Sequence, residues 1–190
     1  LAKQIADALA RAKRPVIISG TSNGTDQIMK AAANIAWALH KKNKDTGIVL
    51  ALPECNSIGL AAIGGQGLES AMEAVQKGLA DTVIILENDL YRRKGTSLVS
   101  EFLKNCKNIV VFDHSTTQTS QQAAYLLPTG TFAESDGVIV SNEGRAQRYF
   151  QVYETNGAIQ ESWRWLMDIG GAAGKEKMSR WKNFDDITQT

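Results

Sequence analysis

Short runs of β-branched and leucine residues alternate along the chain with longer segments whose apolar positions recur every three or four residues. The first four runs are predicted strands, beginning at Val16, Ile48, Thr82 and Asn108, and a fifth short run ends at Pro128. The four starts lie about 26 to 34 residues apart, close to the length of a strand–helix–strand unit. Because such apolar runs are typical of strands buried on both faces, the pattern predicts an α/β fold with an open, mainly parallel sheet and helices on both faces.

The predicted helices lie between these strands. The first begins at Leu1 without a preceding capping residue, so we expect the chain to be a fragment of a longer polypeptide. A second helix starts at Thr25 or Asp26 and ends among lysines, where the helix dipole favours cations. Residues 53–67 are rich in glycine and are predicted to form a loop before a helix that carries Leu68, Met72, Val75 and Leu79.

The pattern changes after Phe132. Residues 138–140 and 148–152 are predicted strands joined by turn residues, and together they predict a β-hairpin that follows the sheet. A short helix is predicted over residues 161–169. We expect one α/β domain over residues 1–171 and a polar C-terminal tail over residues 172–190. The tail either anchors a neighbouring chain or folds back on its own domain, through Met178, Trp181 and Phe184.

Composition and charge narrow the functional classes. With 21 Lys and Arg against 20 Asp and Glu, the chain lacks the net positive charge expected of a nucleic-acid-binding protein. No apolar run approaches the ~20 residues of a bilayer span, so direct membrane insertion is not expected. Cys55 and Cys106 are too few for a four-cysteine zinc or iron–sulfur site, and they favour a reducing cytoplasmic setting.

Candidate binding residues come from the strand ends, because open α/β sheets bind ligands at the carboxyl ends of their strands. These candidates are Ser19, Asn88, Asp113 and His114. The alternative is that they are ordinary polar loop residues. No catalytic residue and no metal ligand is predicted, since none of the common phosphate-loop, zinc-protease or serine-hydrolase motifs occurs. The cationic run 91–94 either receives a phosphate or an acidic partner, or is a solvated loop.

Residues 109–147 resemble the molybdopterin oxidoreductase superfamily. The resemblance rests on the segments 125–128 (Tyr-Leu-Leu-Pro), 132–134 (Phe-Ala-Glu) and 142–147 (Asn-Glu-Gly-Arg-Ala-Gln), and it extends to the loop around Asn56, Gly59 and Gly64. Two residues depart from the superfamily pattern: Tyr125 stands where Asp is usual, and Gln118 where Glu is common. These departures imply a degenerate pterin site.

Within that superfamily, residues 88–92 (Asn-Asp-Leu-Tyr-Arg) make the chain most similar to the large iron–sulfur subunits of bacterial NADH:quinone oxidoreductase, respiratory complex I. That resemblance implies a non-catalytic scaffold domain of the peripheral arm, on the cytoplasmic side of the inner membrane, bound to the other peripheral-arm subunits. The parent complex would pass electrons from NADH through FMN and iron–sulfur clusters to quinone, coupled to proton translocation. No cofactor is expected in this stretch, and the iron–sulfur clusters are expected elsewhere in the parent subunit.

Two alternatives remain open. In the first, the chain is the dinucleotide-binding region of a true molybdenum oxidoreductase of the formate dehydrogenase or nitrate reductase type. Ser19, Asn88, Asp113 and His114 would then hold half of a pterin–guanine dinucleotide. In the second, it is a stand-alone nucleotide-binding module that resembles the middle domain of thiamine-diphosphate enzymes.

Overall fold

A computed structural model describes residues 1–21, 26–175 and 181–189. Its helices are α1 (Ala2–Arg11), α2 (Asp26–Lys42), α3 (Ser57–Ile63), α4 (Leu68–Gln76), α5 (Thr96–Lys104), α6 (Ser162–Ala172) and α7 (Phe184–Thr188). Its strands are β1 (Val16–Gly20), β2 (Gly47–Ala51), β3 (Thr82–Leu86), β4 (Asn108–Asp113), β5 (Tyr125–Pro128), β6 (Gly137–Val140) and β7 (Ala146–Tyr149). The chain divides into two compact units: Leu1–Gly64 with Ile139–Gln147, and Gly65–Val138 with Arg148–Thr190.

The first unit contains a two-stranded parallel sheet, in which β1 and β2 pair with Val16 opposite Gly47 and Gly20 opposite Ala51. Helix α2 packs against both strands. Val16 and Ile18 nevertheless remain 52% and 72% exposed, because alternate residues of a strand point to opposite faces and α2 lies against only one of them. The prediction that this strand is buried on both faces is therefore wrong within the described part of the unit.

The second unit contains a three-stranded parallel sheet with β4 between β3 and β5. Helices α4 and α5 pack on one of its faces and bury a continuous apolar core. Its members are Val75, Ile85, Leu90, Val99, Phe102, Leu103 and Val111. Parallel strands with intervening helices confirm the predicted α/β fold. The five parallel strands are divided between two sheets rather than joined in one, since apolar runs identify strands but not their pairing partners.

Several element boundaries differ from the prediction. Helix α3 forms inside the predicted glycine-rich loop. Strands β6 and β7 form the predicted hairpin, but β7 begins two residues earlier than expected. In its turn Gly144 has a φ of +80°, a conformation that favours glycine.

The C-terminal tail folds back on the second unit in the described residues. Helix α7 begins with a capping box in which Asn183 and Asp186 satisfy each other's backbone N–H groups. The Arg148 guanidinium of β7 lies 5.4 Å from the centre of the Phe184 ring and also pairs with Asp185. Trp181 is half-buried, whereas Met178 lies outside the described residues. The division at residues 171 and 172 stays a prediction.

No helix within the described residues is both long enough and apolar enough to cross a bilayer.

Candidate functional site

The candidate site of the second unit is the carboxyl edge of its sheet, where β3, β4 and β5 end. Asn88 follows β3, Asp113 ends β4, and His114 comes directly after it. Parallel pairing places these strand ends at one edge, as the sequence analysis expects. Ser19 belongs to the first unit, one residue before the end of β1, and residues 22–25 of the loop beyond it lie outside the described residues.

The Asp113 carboxylate is used to hold the turn that follows β4. Its side chain is only 4% exposed, and its Oδ1 accepts hydrogen bonds from the backbone N–H of Ser115 at 3.1 Å and from the Ser115 hydroxyl at 3.4 Å. His114 Nδ1 lies 3.6 Å from the same oxygen. Since the Ser115 hydroxyl contacts Asp113 rather than His114, the three residues do not form a nucleophile with an adjacent base. They form a side-chain-stabilised turn.

The loop after β3 is held by Thr119, a residue that sequence analysis does not single out. Thr119 is completely buried; its hydroxyl donates to Asp89 Oδ1 at 2.7 Å and accepts from the backbone N–H of Leu90 at 2.8 Å. In the sequence, Thr119 lies in the segment that resembles the molybdopterin oxidoreductase superfamily, a few residues before Tyr125. That position does not reveal its contact with Leu90, 29 residues earlier. The loop geometry therefore depends on a buried hydroxyl.

The cationic run beside this loop is largely engaged by its own unit. Asn88 Oδ1 accepts a hydrogen bond from Arg93 Nε at 2.9 Å. Lys94 pairs with Glu69, and this ammonium group, by hydrogen bonding and by its charge, lowers the pKa of that carboxyl. These contacts favour a solvated structural loop over a phosphate receptor, because two of its cations and the predicted Asn88 ligand already have partners.

Residues 160–165, here called the covering segment, lie across the carboxyl edge. The Ser162 hydroxyl donates to Glu87 Oε1 beyond β3, and Trp165 Nε1 donates to the carbonyl oxygen of Pro128 at 2.8 Å. The Gln160 carbonyl accepts from the backbone N–H of Gly130 at 3.2 Å. Glu87 has a φ of +48°, an uncommon conformation for a residue with a side chain. The chain thus occupies its own strand ends with the start of α6.

The turn after β5 is held by a second network of hydrogen bonds, between Glu134 and Thr131. Glu134 Oε2 accepts from the backbone N–H of Thr131 at 3.0 Å and from its hydroxyl at 2.9 Å. These bonds, with a smaller contribution from the charge of His114, lower the pKa of Glu134. The turn is a capping box, so its conformation is fixed by residues three apart in sequence.

A polar cleft of about 390 Å³ adjoins the covering segment in the same unit. Its walls include three carboxylates, Glu134, Glu154 and Glu161, but a single arginine, Arg164, which pairs with Glu161. Phosphates bind where backbone N–H groups and cations converge. The buried Thr129 hydroxyl and the buried indole N–H groups of Trp163 and Trp181 lack partners among the described residues of this unit. This cleft therefore lacks the converging cations that the phosphates of a pterin dinucleotide would need.

Metal-ligating side chains do not cluster in the described residues: no three His, Cys, Asp or Glu side chains come close enough together there to hold an ion.

Comparisons with known proteins place this geometry in context. A family model described as molybdopterin oxidoreductase matches residues 1–172. The chain is 44% identical over 193 residues to the NADH-quinone oxidoreductase subunit designated G of Pseudomonas fluorescens, covering 99% of this chain and 21% of that protein. It is 40% identical over 188 residues to the protein of the same name from Escherichia coli K12, covering 96% of this chain and 21% of that protein. The chain thus spans about a fifth of the length of the curated relatives it matches.

Proposed function

The chain belongs to the molybdopterin oxidoreductase family, and we propose that it acts in a subunit of an NADH-quinone oxidoreductase as a structural domain that performs no redox chemistry itself. Its similarity along nearly its whole length to two subunits of such complexes supports this assignment. Family membership alone does not decide between cofactor binding and a structural role, because one fold supports many functions. The decision rests on the carboxyl edge.

The observation that carries the proposal is the covering segment. Three of its hydrogen bonds reach Glu87, Pro128 and Gly130, the positions at which a parallel α/β sheet would otherwise present free groups to a ligand. A nucleotide at this edge would have to displace them. The carboxylates of the adjoining cleft would also repel its phosphates. A domain whose carboxyl edge is occupied by its own chain is suited to a structural role rather than to ligand binding.

The same proposal extends to the parent protein. Electron transfer from NADH through FMN and iron–sulfur clusters to quinone, coupled to proton translocation, belongs to other parts of the complex. The clusters of this subunit lie outside the present stretch, and its partners are the other peripheral-arm subunits on the cytoplasmic side of the inner membrane.

Elemental and nucleotide analysis of the whole parent polypeptide tests the proposal. We expect molybdenum, tungsten and releasable guanine nucleotide to be far below one equivalent per chain, while iron is present. Stoichiometric molybdenum or tungsten with guanine nucleotide would replace the structural role with that of a true molybdenum oxidoreductase.

A thermal-shift series on the 190-residue chain separates the remaining alternative. A ligand present at about 100 times its Kd stabilises a protein by about 2.7 kcal/mol. We expect GDP, GTP, NAD and FAD to leave the melting temperature unchanged. A saturable shift with one of them would favour a nucleotide-binding module. Ser162→Ala, which removes a bond from the covering segment, should not create a response.

A further inference from the structure

An apolar groove runs between α1 and α2 in the first unit. Its volume is about 490 Å³, and its lining contains four large apolar residues and four alanines. Those residues are Ile5, Leu9, Ile35 and Leu39, with Ala2, Ala6, Ala10 and Ala38. Ile5 and Ile35 are 51% and 47% exposed, and no residue of α1 is buried. A helix with a strongly apolar stripe therefore lacks a partner along that stripe within the described part of its unit.

The C-terminal ends of the two helices meet and concentrate positive charge at one end of the groove. Asn43 Nδ2, just after α2, donates to the carbonyl oxygens of Ala12 and Lys13 at 3.0 and 2.9 Å. Six exposed cations flank this junction: Arg11, Lys13, Arg14, Lys41, Lys42 and Lys44. In the part of the chain that the structure describes, none of them makes an ion pair with a carboxylate within 4.0 Å. Residues 1–45 carry eight Lys and Arg but only three Asp.

We propose that this groove binds an acidic amphipathic α-helix of a partner protein. The alanines let a helix backbone approach closely, while the two isoleucines and two leucines form ridges between which apolar side chains spaced three or four residues apart can pack. Carboxylates at one end of that helix meet the exposed cations near Lys42. The assignment of the occupant to an assembly partner rests on the proposed structural role.

The shape of the groove favours a protein helix over an anionic bilayer, since its cations would attract either one. A basic amphipathic helix can lie on a membrane, but it then presents its apolar face outward. Here the apolar residues of α1 and α2 line the walls of a concave groove. A bilayer surface does not enter such a groove, whereas a helix ridge does.

Fluorescence anisotropy with matched peptides tests the proposal on the 190-residue chain and on the whole parent polypeptide. The probe is a helical peptide of about 18 residues, with leucines every three or four positions and glutamates on both flanks. One control peptide carries lysines in place of the glutamates, and another carries alanines in place of the leucines. We expect the acidic peptide to bind at least about tenfold more tightly than either control at low salt, and less tightly as salt is added.

Matched variants assign the binding to the groove. The double variant Lys41→Glu, Lys42→Glu should bind the acidic peptide about tenfold more weakly and the basic peptide more tightly. The control variant Lys104→Glu, Lys107→Glu, at exposed lysines of the second unit, should leave both affinities unchanged. Ile5→Asn with Ile35→Asn should weaken binding at least about tenfold, whereas Leu79→Asn, an exposed residue outside the groove, should not. Circular dichroism checks that each variant stays folded.

Any of the following outcomes would overturn the proposal. They are equal binding of the acidic and basic peptides, insensitivity to the Ile5 and Ile35 substitutions, binding of phosphatidylglycerol vesicles without binding of the peptide, and self-association through the groove that excludes the peptide. Peptide binding to the 190-residue chain but not to the whole parent would show that the parent's own polypeptide fills the groove, and would also overturn it. None of these results changes the metal and nucleotide content that tests the structural role, so the two failures are distinguishable.

Discussion

The two units of the chain differ in how much apolar surface their helices bury against a parallel sheet. In the second unit, α4 and α5 place valine, leucine and phenylalanine side chains on the sheet and bury a continuous core. In the first unit, the buried apolar side chains among the described residues are Pro15 and the two alanines Ala32 and Ala36 of α2. Large side chains remove far more apolar surface from water than alanines do. The second unit therefore carries its own stability, and the first is the unit expected to gain from a partner.

A substitution in the apolar layer of each unit should show the largest contrast. Phe102→Ala removes a side chain that is 5% exposed in the second unit, and we expect it to lower the free energy of unfolding by about 3–5 kcal/mol. Ile18→Ala removes an exposed side chain of the first unit and should change it by less than about 0.5 kcal/mol. Urea denaturation followed by circular dichroism measures both. Equal losses would mean that the units are equally well packed.

A pair of helical glycines, one in each unit, should give effects of opposite sign. A Cβ at Gly59 would lie 2.2 Å from Asn56 Oδ1, which accepts a hydrogen bond from the backbone N–H of Val140 at 2.8 Å. Gly59→Ala should therefore cost about 1–3 kcal/mol by displacing that acceptor.

A Cβ at Gly171 meets no atom within 4 Å, so Gly171→Ala should stabilise α6 by about 0.5–1 kcal/mol. Hydrogen exchange locates the Gly59 effect, since the Val140 amide should lose protection. If the Val140 amide stays protected in the variant, its protection does not depend on the hydrogen bond to Asn56.

The two cysteines report the same contrast through their reactivity. Cys55 in the first unit is exposed, whereas Cys106 in the second is half-buried and donates to the Phe102 carbonyl at 3.3 Å. Burial raises the pKa of the Cys106 thiol, which lowers its thiolate fraction. We expect iodoacetamide at neutral pH to modify Cys55 at least about tenfold faster than Cys106. Cys55→Ser and Cys106→Ser variants assign the two rates by mass spectrometry, and equal rates would contradict the burial.

The smallest expected effect concerns acid stability of the second unit. Hydrogen bonds from Thr131 lower the pKa of Glu134 in the folded chain. The charged carboxylate therefore stabilises the fold fully at pH values above 4.5, the ordinary pKa of a glutamate. That contribution is lost as the pH falls through the lowered pKa. Glu134→Gln should therefore flatten the stability curve below about pH 5.

Glu143→Gln, an exposed position in the first unit's hairpin turn, is the matched control and should leave the curve unchanged. Parallel curves for wild type and Glu134→Gln would show that the turn does not depend on the charged carboxylate.

The sequence predicts individual strands and helices well because their signals are local. The apolar runs at Thr82 and Asn108 match β3 and β4, and the short helix predicted over residues 161–169 matches most of α6. The sequence does not predict the division into two sheets, because Ile17 in β1 and Ile84 in β3 give the same local pattern in different sheets. Helix α3 was missed since glycine lowers helix propensity, whereas Gly59 is required there by close packing.

The sequence predicts where the candidate site lies in the fold, but it does not predict the hydrogen-bond partners of the site residues. Parallel topology places Asn88 and Asp113 at a sheet edge, and the structure has them there. Their use as turn and loop acceptors depends on Ser115 and Arg93, two of many polar neighbours that the pattern does not rank. Closure of the edge depends on Ser162 meeting Glu87, 75 residues earlier, and no local rule encodes that distance. Assignment of Ser19 to a ligand remains a prediction.

The 75-residue separation between Ser162 and Glu87 has a kinetic consequence. Contacts between β3, α5 and β4 join residues close in sequence, so their chain entropy cost is small and they are expected to form early during folding. Residues 160–165 can engage only after the strand ends they contact exist. Refolding should therefore pass through a species in which strand pairing is complete and the indole of Trp165 is still in water. The docking of residues 160–165 should appear as a phase in tryptophan fluorescence that is slower than the change in circular dichroism.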